Sequence, residues 1–257
     1  MLKFLVFAIC WWPATRMAAA APSGRAAFQL EDWLLLPLRV HLLAATNAPA
    51  IHTTLTDADI ARILKKMNGI WSQAGITFWL ESLVREEAAH PDYVQKMGQE
   101  DDLRGLLMLR PVSSRATNLF HIYYVKQFSV NGVYLGPAMF VKDSASLVRV
   151  PGGLDEPLPR VSSHELGHAL SLAHHAHLTN LMARGTTGTN LDNIEIQQAR
   201  GAAAKLPWAE RAIDVARKAE MAASRNDSTG ARALHRRIAV IPLEARLVRR
   251  ARAASRE

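Results

Sequence analysis

Within residues 164 to 177, HELGHALSLAHHAH, four side chains have the types and spacing needed to hold a metal ion and activate water: His164, Glu165, His168 and His174. On an α-helix, residues four apart lie one turn apart on one face, so His164 and His168 can offer two imidazoles to a single ion. Glu165 lies beside that row but offset from it, within reach of a water on the metal. The third ligand constrains the backbone. Were the helix to run on, His175 would share the face but lie about 10 Å further along the axis. A zinc ion with nitrogen ligands at about 2.1 Å cannot span that distance. A single site therefore requires the chain to leave the helix near Leu170 and bend back, which brings His174 rather than His175 to the metal.

This run resembles the metzincin clan of zinc peptidases, whose pattern is HExxHxxGxxH followed by a methionine-containing turn. The resemblance implies zinc held by His164, His168 and His174, with Glu165 as the general base on a zinc-bound water. It also implies an α/β catalytic domain with a twisted mixed sheet, a backing helix and a zinc-site helix, acting on protein or peptide substrates. In the clan a glycine makes the bend, whereas this chain has Ser171. Serine adopts positive φ poorly, so the bend is either built differently or strained, and His175 and His177 stand as alternative third ligands. The segment TNLMA places Met182 eight residues after His174, as the family's turn would, in the role of a hydrophobic floor. Arg184 occupies the position where astacin-like and serralysin-like enzymes carry a tyrosine. The absence of cysteines departs from the extended motif of the archaeal-type relatives.

The flanking pattern supplies elements that could position such a helix. Leu34 to Ala44 is an apolar run that reads as a strand. Thr56 and Asp59 have capping-box spacing, and Ile60, Ile63, Leu64, Met67 and Trp71 follow at helical intervals until Gly75. ITFWLESLV then returns as a strand, which makes a right-handed crossover. Residues Arg85 to Arg110 are charged and mixed. NLFHIYYVKQF and PAMFVKD read as two more strands separated by a glycine-containing loop at Asn131 to Gly136. His121, Tyr123 and Tyr124 alternate there as packed sheet residues, and Ala138 to Val141 resembles the edge strand on which metzincins lay an extended peptide. Ser162 or Ser163 is expected to cap the zinc helix, and IEIQQARGAAAKL to form the last helix of the catalytic unit.

The ends differ from this middle. Residues 1–21 have a basic start, an apolar run of nine and a small-residue cleavage region, and are expected to be a signal peptide, followed by a linker over 22–32. The protein is then secreted or periplasmic, with no other transmembrane segment. The sole cysteine, Cys10, lies in that leader, which excludes disulfides, thiol catalysis and a cysteine latency switch from the mature chain. The catalytic domain is expected over 33–206 and a basic helical extension over 207–257. Residues 208 to 257 hold twelve Arg or Lys against six Asp or Glu, so the basic excess of the mature chain lies there. That tail could make weak contact with anionic surfaces. The composition points to a zinc-dependent endopeptidase only through the motif. Two other readings stay open: a thermolysin-like peptidase with Glu195 as third ligand, although NIEIQ lacks the NExxxD context, and a non-catalytic, zinc-stabilised binding protein.

Overall fold

The computed structural model describes residues 28–93, 103–136 and 138–242; the expected leader and the terminal stretch ARLVRRARAASRE fall outside them. β1 (Leu34–Ala44) is the strand around which the rest is arranged. α1 (Asp57–Trp71) follows, begun by the Thr56–Asp59 capping box, in which Thr56 Oγ1 accepts from the Asp59 N–H and Asp59 accepts from the Thr56 N–H. Gly75, at φ 60°, turns the chain into β2 (Ile76–Glu87), parallel to β1. Asn68 of α1 fixes that turn by donating to the Phe78 carbonyl and accepting the Phe78 N–H. β3 (Phe120–Val125), β4 (Gly132–Tyr134), β5 (Met139–Lys142) and β6 (Glu210–Arg211) complete a six-stranded mixed sheet. Its order is β2-β1-β3-β5-β4, with β6 also paired to β1.

Both faces of β1 are covered, which explains its nearly continuous apolar sequence. Leu36, Leu38, Val40 and Leu42 point to one face. There they meet α1, α2 (Pro157–Ala169) and α3 (Asn193–Ala204) in the main core. Leu35 and Leu43 point to the other. Leu43 joins Tyr123, Phe140, Leu106 and Leu109. Leu35 joins Trp33, Ala212, Val215 and Ile241.

The last cluster shows how the C-terminal segment is attached. Arg211 and Glu210 pair antiparallel with Leu34 and Leu35, beyond the point at Leu38 where β3 begins its pairing with β1. Pro37, which has no N–H to donate, falls in the gap between β6 and β3. α4 (Ala212–Ser224) and α5 (Ser228–Ala239) then pack together. Arg237 lies 4.0 Å from the Trp79 ring centroid and pairs with Glu210 at 2.9 Å. The described part of the tail therefore contributes both a strand and a core cluster. No helix among the described residues is long and apolar enough to cross a membrane.

The face of the sheet away from α2 holds a buried polar chain. His121 Nε2 faces the Ala116 carbonyl at 2.7 Å, His121 Nδ1 faces His41 Nε2 at 2.8 Å, and His41 Nδ1 faces Glu86 Oε1 at 2.6 Å. A carbonyl can only accept, so His121 carries its proton on Nε2 and accepts on Nδ1. His41 then donates through Nε2, and its Nδ1 is a second acceptor facing a carboxylate. That last contact requires one further proton, held by Glu86 or shared with the ring. Burial raises the Glu86 carboxyl and drives the His41 imidazole down to about 2, which places the proton on Glu86. Ser114 also donates to Glu86, Arg39 pairs with Glu81 nearby, and Arg110 donates to the Tyr123 hydroxyl.

This chain makes stability depend on pH with a definite sign. Burial holds His41 and His121 below the ordinary histidine value, so their contribution is present above about pH 6.5 and is lost as the pH falls. Glu86 is raised, so it acts in the opposite direction, but it is one group against two. The melting temperature is expected to fall between pH 7 and pH 5, and His121→Asn to make that fall shallower. Equal slopes for the two proteins would contradict the assignment of buried neutral rings.

Candidate metal centre

The helix that carries the motif starts earlier than the serines suggest. Glu156 precedes α2, Pro157 takes the first helical position, and Glu156 binds Arg62 and Lys66 of α1. Ser162 and Ser163 are not caps. Both are buried in mid-helix, and Ser162 Oγ shares a hydrogen bond of 2.8 Å with the Tyr124 hydroxyl. Proline at the start removes the need for a serine there, since an N–H that would otherwise lack a partner is absent.

At the other end the helix stops at Leu170. The Ser171 N–H reaches the His168 carbonyl at 3.0 Å, and the Leu172 N–H reaches the Gly167 carbonyl at 2.8 Å. Those two bonds, around a residue at φ 68°, form a Schellman closure with serine in the left-handed position. The bend is thus made at Ser171, and the strain of a side chain at positive φ is accepted there, on the order of 1 kcal/mol. Gln198 of α3 donates to the Ser171 carbonyl and holds the turn from outside.

The bend brings the three histidines together. One ring nitrogen from each of His164, His168 and His174 lies within 4.8 Å of the others. The Nε2 atoms of His164 and His168 are 3.2 Å apart. His164 Nδ1 faces the Leu181 carbonyl at 2.8 Å, and His168 Nδ1 faces the Leu172 carbonyl at 2.9 Å. Carbonyl acceptors put the ring protons on Nδ1, so the two Nε2 atoms present lone pairs to one another. Burial opposes relieving that repulsion by protonation, holding His164 down to about 3 and lowering His168. A cation between the rings relieves it instead. Neutral imidazoles with their second nitrogens on backbone carbonyls are the donor set zinc takes.

His175 and His177 lie elsewhere. Both are exposed, and the His177 N–H donates to His175 Nδ1 at 3.0 Å. Glu195 is not with His164 and His168. It caps α3, accepting from the Asp192 N–H at 2.8 Å and from Asn180 at 2.7 Å, so it is placed with His175 and Asp192. The capping box accounts for the closeness of Asp192 and Glu195 without an ion.

Glu165 is buried beside the histidine row. Burial pushes its carboxyl up to about 8, against the lowering effects of Arg160 and of a hydrogen bond from the Tyr134 backbone. That bond ties Glu165 to β4. A Cβ on Gly132, also in β4, would come within 2.8 Å of Glu165 Oε1, so glycine there leaves the carboxylate its space. The strand beside the site is therefore β4, in the segment expected to be a loop. Ala138 to Val141 is not an edge: β5 is paired with β3 on one side and β4 on the other. Three residues beginning with glycine are too few to give a strand pattern.

Met182 lies under the site, fully buried. A Cβ on Gly167 would stand 2.5 Å from its sulfur, so the glycine of HELGH admits the methionine. Arg160, which the motif does not include, holds the same turn. It is buried and donates to the carbonyls of Leu181, Ala183 and Gly188, and burial lowers it to about 10. Its position one helical turn before His164 is the only trace of this role in the sequence. The site opens into a cleft of about 1010 Å³ bordered by Asn131 to Tyr134, Leu172 and Arg184.

No protein family model matches the chain, and no curated protein matches it. Among solved structures, archaemetzincin from Methanopyrus kandleri aligns with a TM-score of 0.47 at 15% identity, over 66% of this chain and 96% of that one. Mirolysin in complex with a compound aligns at 0.44 and 13% identity, over 66% and 91%. Metalloproteinase-II from Bacteroides fragilis aligns at 0.35 and 11% identity, over 65% and 53%.

Proposed function

We propose that the protein is a zinc-dependent endopeptidase of metzincin type, exported by its first 21 residues. The observation that carries this reading is the convergence of three imidazoles on one point, with the Glu165 carboxylate beside them in an open cleft. His164, His168 and His174 would hold the ion through neutral rings. Zinc supplies, when bound, a Lewis acid that makes water more acidic and stabilises negative charge developing on a carbonyl oxygen.

The chain's own groups do the rest. A substrate backbone laid along the open edge of β4 presents its carbonyl above the histidines. Glu165 takes a proton as the water oxygen attacks the carbonyl carbon. When the C–N bond breaks, the same carboxyl gives that proton to the leaving nitrogen. Burial raises this carboxyl in the metal-free site, and the charge of a bound cation would lower it again, leaving a carboxylate able to take the water's proton. Met182 and Gly167 close the floor, and Arg160 keeps the Leu181 carbonyl in place behind His164.

A chelator is expected to abolish cleavage of a mixed peptide library, and stoichiometric zinc to restore it. Cleavage that continues unchanged in chelator would overturn the reading.

A further inference from the structure

Two guanidiniums line the cleft, and they differ in what they hold. Arg160 is buried and committed to three main-chain carbonyls. Arg184 is exposed, and its single hydrogen bond among the described residues is Nη2 donating to His174 Nδ1 at 3.1 Å. The other ionisable lining residues are Glu165, buried and tied to the Tyr134 backbone, the Tyr134 phenol, which burial raises, and the three histidines. Among the described residues Arg184 is thus the one exposed fixed charge on the cleft wall, and it is positive.

Its contact with His174 is conditional. A neutral imidazole carries one ring proton. While Nδ1 accepts from Arg184, the proton is on Nε2. A His174 that gives its Nε2 lone pair to a cation must carry the proton on Nδ1, which can then no longer accept. Loading the site therefore frees the guanidinium at the rim of the cleft, with a planar fork of donors and no described partner.

We propose that Arg184 selects substrates carrying a carboxylate next to the bond that is cut, through a two-point guanidinium–carboxylate pair. The proposal rests on the peptidase reading and adds the chemical class of peptide. The carboxylate has two sources, an Asp or Glu side chain or the end of the peptide.

The test uses full-length, zinc-loaded protein carrying Glu165→Gln, so that binding is read without turnover. Calorimetry is run on a neutral nine-residue peptide with a single Glu or Gln scanned along it, each with a free or an amidated C-terminus. At one position the Glu peptide is expected to bind about tenfold tighter than its Gln twin, and Arg184→Gln to remove the difference. A tenfold effect of the free C-terminus, likewise removed by Arg184→Gln, keeps the carboxylate pair and assigns it to the chain end. Equal binding of all peptides overturns the proposal, as does a preference that survives Arg184→Gln. Wild-type turnover separates the two readings: selective binding with no cleavage of any peptide sinks the peptidase reading alone, and chelator-sensitive cleavage with no carboxylate preference sinks only this one.

Discussion

Glu165→Gln is expected to keep zinc at full stoichiometry and to lose peptide hydrolysis by roughly 10²- to 10⁴-fold in kcat. The metal is kept because the three converging nitrogens belong to His164, His168 and His174. Turnover is lost because an amide of the same shape cannot take a proton from water or return it to the amine. Folding should survive the change. The site is buried enough to hold the carboxyl near 8, so at neutral pH the metal-free native state already favours an uncharged group there. Zinc content by elemental analysis and kcat on one peptide are sufficient measurements. Retained turnover would remove Glu165 from the proposed chemistry, and lost zinc would make it a ligand.

His174→Ala is expected to weaken zinc binding by more than about 100-fold, above the 10- to 100-fold typical of losing a residue that only supports a ligand. His175→Ala and His177→Ala should leave the affinity within a few-fold, since both side chains lie outside the converging set. The backbone that delivers His174 has its own signature. Ser171 at φ 68° closes the helix, so Ser171→Gly should raise stability by about 1 kcal/mol without altering zinc affinity. If the helix instead ran through Ser171, glycine would destabilise by up to about 1 kcal/mol and His174→Ala would leave zinc binding unchanged. Zinc titrations and melting curves on these four variants distinguish the two geometries.

The parts of the fold that were legible in the sequence are those with repeated signals. β1, α1 and β2 are marked by an apolar run, a capping box with helical spacing, and a closing glycine at position 75. The bend after Leu170 followed from the reach of zinc alone. What was not legible depends on contacts distant in sequence. β4 is three residues long and is made a strand by its pairing with β5. The start of α2 was misplaced because serines resemble caps, while Pro157 and the ion pairs of Glu156 do that work. Arg160 acts on carbonyls 21 to 28 residues away, which no local pattern announces. The arginine-rich tail has the composition of a solvated extension, yet apolar residues within it, among them Ala212, Val215 and Ile241, close over Trp33 and Leu35.

The rings of His164 and His168 are aimed by the main-chain carbonyls of Leu181 and Leu172 rather than by carboxylate side chains. Every amino acid brings a carbonyl, so neither anchor can be deleted by a point substitution at its own position; it can be lost only by moving the backbone. The exposed stretch from Ala173 to Leu178 is correspondingly free to drift in sequence, His174 excepted, and could be diversified for new peptide preferences while the orientation of these two histidines is inherited intact. An evolving or engineered lineage would thus find variation cheap at the mouth of the cleft and costly at Arg160 and Gly167, which hold the backbone itself.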